Sequence, residues 1–217
     1  MILAMLAGVL INLEPVCGAL AAPSATAIPS TFFGMTLMNS ENWPTVSTGA
    51  LGKGTGVNWS YTEPQRGVFN WKNLDTWVAA ASQRGVSFFF SNDLVPPWAA
   101  ADPSTCVPTY AGSTVMGCTS SVANTKDWDD FVTAITTRYK GKLIYELWNE
   151  PYTKYFTGTV ADMVTLTTHE YNVIRSIDPS AVILAPSGTS SYMDQYFSAG
   201  GPTGIDIISF HSYEAAP

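Results

Sequence analysis

Short apolar segments alternate along this chain with amphipathic segments of helical spacing, and this alternation is the strongest constraint on its fold. The strand-like segments are "TFFGMTLMN" (31–39), 49–55, "VSFFFS" (86–91), "LIYELWN" (143–149), "AVILAP" (181–186) and "DIISFH" (206–211). The helix-like segments between them are 73–85, 125–140, 160–177 and 192–199. Apolar strands that alternate with amphipathic helices are typical of a parallel sheet with helical crossovers. The sequence therefore predicts an α/β fold.

Two parallel architectures compete, a (β/α)8 TIM barrel and a doubly wound sheet. No glycine-rich phosphate turn follows the first strand, which argues against a doubly wound nucleotide-binding sheet. Polar residues instead end the fourth and sixth strands, as Asn149-Glu150 and His211. A barrel carries its chemistry at these strand ends. We therefore predict a TIM barrel over residues 29–217, with only about the first six βα units present.

Residues 1–28 are set apart by their composition. They are apolar and then rich in small residues, and Ala19–Ala21 or Ala25–Ala27 offers a cleavage site. The run lacks a positive start and is too interrupted to span a membrane, but it resembles a secretory signal. We expect an exported protein, extracellular or periplasmic.

The cysteines fit an oxidising compartment. Cys17 falls in the leader, and Cys106 and Cys118 lie in a loop rich in Pro, Ser, Thr and Gly. We expect these two to form a disulfide, with two free thiols as the alternative. The chain has no CxxC pair, and its histidines are His169 and His211, so we expect no metal.

Charge and composition limit the partners. A net charge of −7 argues against nucleic acid and anionic membranes, because both need a basic face. Seven Trp and ten Tyr would suit a site that stacks flat, neutral ligands, although most aromatic residues fill cores. We expect a monomer that needs no cofactor.

The segment "YELWNEP" (145–151) places Glu146, Trp148 and Glu150 on one face of a strand, if the strand continues through it. An ionised carboxylate is costly to bury without a partner or a task. Glu150, at the strand mouth, suits a general acid whose pKa is raised by partial desolvation, with an exposed loop carboxylate as the alternative. Glu146 lies deeper, and we interpret it as structural, neutralised by a group such as Lys53.

Four ordered segments resemble clan A of the retaining glycoside hydrolases, with a pattern closest to family 39 β-xylosidase-like enzymes. They are "VNWSYTEPQRGVFNWKNLD" (57–75), "VPPWAA" (95–100), "YELWNEP" (145–151) and "DIISFHSY" (206–213). The resemblance implies a TIM barrel whose strand 4 ends in the acid/base. It makes Glu150 the acid/base and Asn149 the ligand of the sugar 2-hydroxyl.

The resemblance also implies the remaining sugar contacts. His211 and Tyr213 would bind the sugar or position the nucleophile, on the Glu150 side of the mouth, with a core histidine and a packing tyrosine as the alternative. Trp98 would stack on the sugar, and Trp148 would lie beside it; plain packing is the alternative for Trp98. The clan's nucleophile is a glutamate ending strand 7, which we expect beyond residue 217.

The sequence thus predicts an O-glycosyl hydrolase that acts on a polysaccharide or oligosaccharide by double displacement. One alternative is a carbohydrate-binding pseudoenzyme that lacks the nucleophile. Another is an unrelated barrel enzyme in which the Asn-Glu-Pro sequence is coincidental.

Overall fold

The computed structural model describes residues 32–39, 43, 45–52 and 56–211. The strands in this part of the chain are β1 (Gly34–Thr36), β2 (Ala50–Gly52), β3 (Ser87–Ser91), β4 (Cys106–Pro108), β5 (Met116–Cys118), β6 (Leu143–Glu146) and β7 (Val182–Leu184). The helices are α1 (Trp59–Thr62), α2 (Lys72–Ser82), α3 (Thr125–Arg138), α4 (Val160–Ile177) and α5 (Ser190–Ser198), with a 3₁₀ turn at Pro103–Thr105. Strands and helices alternate as the sequence predicts.

Five strands of the described residues form one parallel sheet in the order β1-β2-β3-β6-β7. Each strand pairs with the strand of the preceding βα unit, so the order contains no reversal. A doubly wound sheet reverses its order at a switch point, where its ligand binds. The observed order is that of a partial TIM barrel, and β6 is its fourth strand.

The segment after α5 starts a sixth barrel position beside β7. Parallel bridges join Leu184 to Ile207 and Gly188 to Phe210, where the sequence predicts a continuous strand over 206–211. The pairing is therefore shorter than expected. The chain nevertheless runs alongside β7, and His211 lies at the carboxyl edge of the sheet.

The helices bury the faces that their periodicity predicts. In α2 the buried residues are Leu74, Trp77, Val78 and Ala81. On α3 the predicted face is likewise buried, at Trp128, Phe131, Val132, Ile135 and Tyr139. A reciprocal capping box of Thr159 and Asp162 starts α4 and satisfies backbone N–H groups of its first turn.

A disulfide-linked hairpin, β4–β5, interrupts the barrel pattern between β3 and α3. The two strands are antiparallel, and Cys106 faces Cys118 directly across them. The disulfide between these cysteines confirms the predicted pairing. The hairpin itself was not predicted, because its strands are three residues long and lack an apolar alternation.

Replacing both cysteines by serine should lower the free energy of unfolding by about 3 kcal/mol, the value for a loop of this length. The loop that the disulfide closes spans a sequence separation of 12, and closing it restricts the unfolded chain. Urea midpoints of wild type and of the double variant, each with and without reductant, measure the effect. Reductant should shift the wild type alone. Equal midpoints for oxidised wild type and variant would contradict the prediction.

Some predicted features lie outside the described residues. These are the leader (1–28), the proposed ion-pair partner Lys53 and the proposed sugar ligand Tyr213. Among the helices that are described, none is long and apolar enough to cross a membrane.

Candidate functional site

The fourth barrel strand ends earlier than the sequence predicts. β6 stops at Glu146, and the chain bends at Leu147, whose N–H donates to the carbonyl of Leu184 at 3.2 Å. The alternation of faces therefore ends at residue 146. The side chains that follow take directions set by their neighbours.

Trp148 shows the consequence, and its predicted place beside the sugar is wrong. Its side chain is fully buried, with ring centroids 6.1 Å from Trp128 on α3 and 5.4 Å from Phe156. A tryptophan enclosed in this way cannot contact a substrate. It packs against the helix layer instead of lining the mouth.

Glu150 lies at the carboxyl edge of the sheet in a constrained backbone conformation. Its φ of 50° is in the left-handed region, which costs a residue other than glycine about 1–3 kcal/mol. Two hydrogen bonds hold the turn. The Asn149 N–H donates to the carbonyl of Asn92 at 2.7 Å, and the Glu150 N–H donates to Ser187 Oγ at 3.0 Å. β3 and β7 thus both anchor the glutamate.

The side chain of Glu150 meets His211 although β7 lies between β6 and the segment that carries His211, because alternate barrel strands contribute to the same interior layer. His211 Nδ1 and Glu150 Oε1 share a hydrogen bond at 2.8 Å. The glutamate side chain is 13% exposed and the histidine 29%, so both are reachable from solvent. The His211 N–H also donates to the carbonyl of Gly188 at 3.1 Å. The histidine therefore fixes the plane of the Glu150 carboxyl group.

Asn149 is 9% exposed and lies directly before Glu150 in the same turn. The structure thus keeps the Asn-Glu pair at the strand end, where the sequence predicts the site. Its role toward a sugar stays a prediction.

Glu146 lies deeper and is embedded in hydroxyl donors. Ser91, its neighbour across β3, donates to Oε2 at 2.5 Å, and Ser209 donates to Oε1 at 2.7 Å. The residue is 2% exposed. These contacts join the third, fourth and sixth barrel positions, which agrees with the structural interpretation of Glu146.

Trp98 does not lie with the Glu150 group. Its Nε1 donates to the carbonyl of Glu63 at 2.9 Å, its ring packs edge-on against Trp59, and the Arg66 guanidinium lies 5.4 Å from its centroid. It lines a cleft of about 580 Å³ between the loop after α1 and the outer side of α3, which Glu150 does not line. This placement favours the packing alternative, and stacking on a sugar stays a prediction.

A second cleft, of about 170 Å³, opens at the carboxyl ends of β1 and β3. Its lining consists mainly of hydroxyl, amide, carboxyl and aromatic groups: Thr36, Met38, Gly56, Val57, Asn58, Tyr61, Ser91, Asp93, Thr109 and Tyr110. Ser91 connects the cleft to Glu146. Hydrogen-bonding groups mixed with aromatic rings suit a polyhydroxylated ligand.

The described residues include no cluster of three or more side chains suited to hold a metal ion.

Sequence reasoning missed the residues that support Glu150. Asn92 and Ser187 each follow the end of an apolar strand, as Glu150 does, and that position is the signal that could have identified them. Ser91, which donates to Glu146, is itself the last residue of β3.

Comparisons with known proteins agree with this architecture. Among solved structures, a GH10 protein from Paenibacillus barcinonensis matches with a TM-score of 0.57 and 17% identity, over 82% of this chain and 59% of that one. A GH10 xylanase from Thermobacillus composti matches with a TM-score of 0.55 and 14% identity, over 83% and 57%. A family 39 glycoside hydrolase from Bacteroides cellulosilyticus WH2 matches with a TM-score of 0.56 and 16% identity, over 76% and 33%.

At these identities the structural matches show the fold, a TIM barrel of the glycoside hydrolase type. The chain spans less than two thirds of the length of each of these three structures. No curated protein matches the sequence. The family model of cellulases, glycosyl hydrolase family 5, matches residues 55–217, which is most of the chain and includes Glu150 and His211. The chain therefore belongs to glycosyl hydrolase family 5, a member of the clan that its motifs indicate.

Proposed function

We propose that the protein hydrolyses O-glycosidic bonds by double displacement, with Glu150 as the general acid and base. The observation that carries this proposal is the Glu150–His211 pair at the carboxyl edge of a partial TIM barrel. Enzymes of this fold hold their chemistry at that edge. The family match supports a glycan as the substrate.

In the first step, the Glu150 carboxyl group donates its proton to the glycosidic oxygen while a carboxylate attacks the anomeric carbon. In the second step, the Glu150 carboxylate takes a proton from the water that attacks the glycosyl-enzyme intermediate and so releases the sugar from the enzyme. His211 holds Oε1 and so keeps the carboxyl group aimed through both steps. Asn149 would bind the sugar 2-hydroxyl from the same turn, and His211 and Tyr213 would line the sugar site.

The nucleophile belongs to the seventh barrel strand in this proposal, beyond residue 217. A retaining enzyme needs its two carboxyl groups about 5–5.5 Å apart. Strand 7 follows the sixth position, which ends beside Glu150, so a glutamate at its end can reach that distance. The proposed active protein is therefore longer than the chain described.

A β-linked plant polysaccharide is the substrate class that we propose. The family model is that of cellulases, and several similar structures are xylanases, which favours β-1,4-linked glucan or xylan. The aromatic and hydroxyl-lined cleft beside β1 and β3 suits neutral sugars.

We also propose that the protein is exported, because the Cys106–Cys118 disulfide suits an oxidising compartment.

The stereochemistry of the product tests this function directly. We expect the naturally produced protein to release the β-anomer first from xylo- or cello-oligosaccharides, because double displacement retains configuration. Proton NMR of the anomeric signals during the first turnovers measures it. Initial release of the α-anomer would exclude double displacement. Saturable binding without any product would favour the pseudoenzyme alternative.

A further inference from the structure

Glu170 occupies a core position on α4 that an apolar residue would normally fill. The buried residues of this helix are Met163, Leu166, Thr167, Glu170 and Ile174, at the spacing of a single face. Glu170 is 1% exposed. A carboxyl group so deeply buried needs a specific arrangement to be tolerated.

One partner accounts for half of that arrangement. Asn92 Nδ2 donates to Glu170 Oε1 at 2.9 Å. The other oxygen of the carboxyl group, Oε2, and the amide oxygen of Asn92 are both buried without a hydrogen-bond partner. The two planar groups thus share one hydrogen bond, and each keeps one buried oxygen without a partner.

An ionised carboxylate cannot complete a two-point pair, since it offers only acceptors, whereas the edge of an amide that carries its oxygen presents one N–H donor and that one acceptor. A protonated carboxyl group offers one donor and one acceptor, which complement the amide. The group would then donate from Oε2 to Asn92 Oδ1 and satisfy both buried oxygens. Leaving such groups unsatisfied would be costly.

The charges around Glu170 favour the neutral form. The titratable groups that face it in the described residues are Glu146 and Tyr145 on β6 and Tyr196 on α5, and none of these carries a positive charge. Burial, with a smaller contribution from the negative charge of Glu146, raises the pKa of Glu170 well above its ordinary value. The hydrogen bond from Asn92 only partly opposes this shift.

We propose that Glu170 is a neutral carboxylic acid that forms a two-point pair with the Asn92 side chain and thereby positions the turn that carries Glu150. The backbone provides the link. The carbonyl of Asn92 accepts from the Asn149 N–H at 2.7 Å, one residue before the left-handed Glu150. The pair with Glu170 restrains the Asn92 side chain, and this restraint keeps the Asn92 carbonyl in place. The effect on catalysis rests on the proposed role of Glu150, but the acid–amide pair does not.

Infrared spectroscopy of the full protein, wild type against Glu170→Gln, tests the pair. The difference spectrum at neutral pH should contain the carbonyl stretch of a protonated carboxylic acid, shifted in D₂O. Bands of an ionised carboxylate in its place would overturn the proposal. The glutamine keeps one donor and one acceptor, so this variant should fold.

Stability as a function of pH gives a second reading. The folded protein keeps a proton on Glu170 that the unfolded chain releases above its ordinary pKa of 4.5. The contribution of this group to stability is therefore full below 4.5 and is lost as pH rises toward the folded pKa. We expect the urea midpoint of Glu170→Gln to gain on wild type as pH rises through this window. A constant difference would overturn the proposal.

The positioning role needs a readout beyond stability. Hydrogen exchange at the Asn149 amide should stay protected in Glu170→Gln and become faster in Glu170→Leu, which breaks the pair. In the active protein, kcat should fall by up to about 100-fold in Glu170→Leu and recover in Glu170→Gln. Unchanged exchange and kcat in a folded Glu170→Leu variant would overturn the positioning role. A wild type without hydrolytic activity would refute the proposed function while the spectrum still decides the pair.

Discussion

Glu150→Gln should lower the hydrolysis of unactivated polysaccharide by about 10²–10⁴-fold, the usual contribution of a general acid or base. Glutamine has nearly the shape of glutamate and can keep a hydrogen bond with His211. Its amide group has no acidic proton to transfer to the glycosidic oxygen, and it is too weak a base to take a proton from water. The loss should therefore appear in the chemical steps, with the fold intact.

Leaving-group chemistry separates this role from a binding role. Aryl glycosides with very good leaving groups need little protonation, so their glycosylation step should lose much less than that of the polysaccharide. We would compare kcat/KM of wild type and variant on xylan or glucan and on an activated aryl glycoside. Equal losses on both substrates would point to sugar binding instead of acid catalysis.

Asp130→Asn provides a matched control for that experiment. Asp130 lies on α3 with its side chain 60% exposed and pairs with Lys126 one helical turn away. It undergoes the same acid-to-amide change on the helix layer, in a cleft that Glu150 does not line, so the activity of this variant should equal that of wild type. Wild-type activity of Glu150→Gln on polysaccharide would end the assignment.

Trp59→Ala should lower the free energy of unfolding by about 3–5 kcal/mol, the usual cost of deleting a large buried aromatic side chain. Trp59 is fully buried at the centre of an aromatic cluster. Its ring lies 5.6 Å from Trp98, 5.1 Å from Trp128 and 5.0 Å from Phe131. Its removal leaves a cavity between the loop after β3 and α3, lined by rigid rings that cannot close it.

The indole N–H of Trp59 adds a polar contribution. It donates to Glu63 Oε2 at 2.7 Å, while the Gly67 N–H donates to Oε1 at 2.7 Å. Burial raises the pKa of Glu63, and these hydrogen bonds oppose that shift. Removing the indole therefore takes away one of the contacts that oppose the shift and leaves a buried carboxyl oxygen with one donor fewer.

Trp59→Phe keeps a six-membered ring in the cluster but removes the N–H together with the rest of the five-membered ring, so it retains part of the packing and loses the whole hydrogen bond. We expect a loss of about 1–3 kcal/mol, the cost of an unsatisfied buried polar group. Urea unfolding followed by circular dichroism measures both variants. A midpoint for Trp59→Ala equal to that of wild type would show that the cluster does not support the fold.

Local periodicity determined most of the architecture. The apolar spacing of α2 and α3 identified the buried residues of both helices, since a helix face depends only on residues three and four apart. The order of strands and helices, together with the absence of a phosphate turn, was enough to choose a barrel. The polar residues that end apolar strands indicated a candidate site at Asn149, Glu150 and His211, and the structure brings Glu150 and His211 into contact.

The sequence could not determine where the fourth strand stops. Trp148 and Glu150 are two residues apart and would share one face of a continuous strand. Trp148 instead faces the helix layer, because the chain bends after Glu146. Trp98 likewise turned toward Trp59 and Glu63. Once a strand ends, the direction of each side chain depends on partners that are distant in sequence.

Only the tertiary structure revealed what holds Glu150 in place. Asn92 and Ser187 come from two different strand ends, 57 positions before Asn149 and 37 positions after Glu150, the residues that they bind. Glu170, the partner of the Asn92 side chain, lies on α4. No local pattern encodes such contacts, because they form when parallel strands bring their carboxyl ends to one edge. The sequence by itself determined which segments form strands and which polar residues lie near their carboxyl ends, and the packing of those strands decided which of these residues meet.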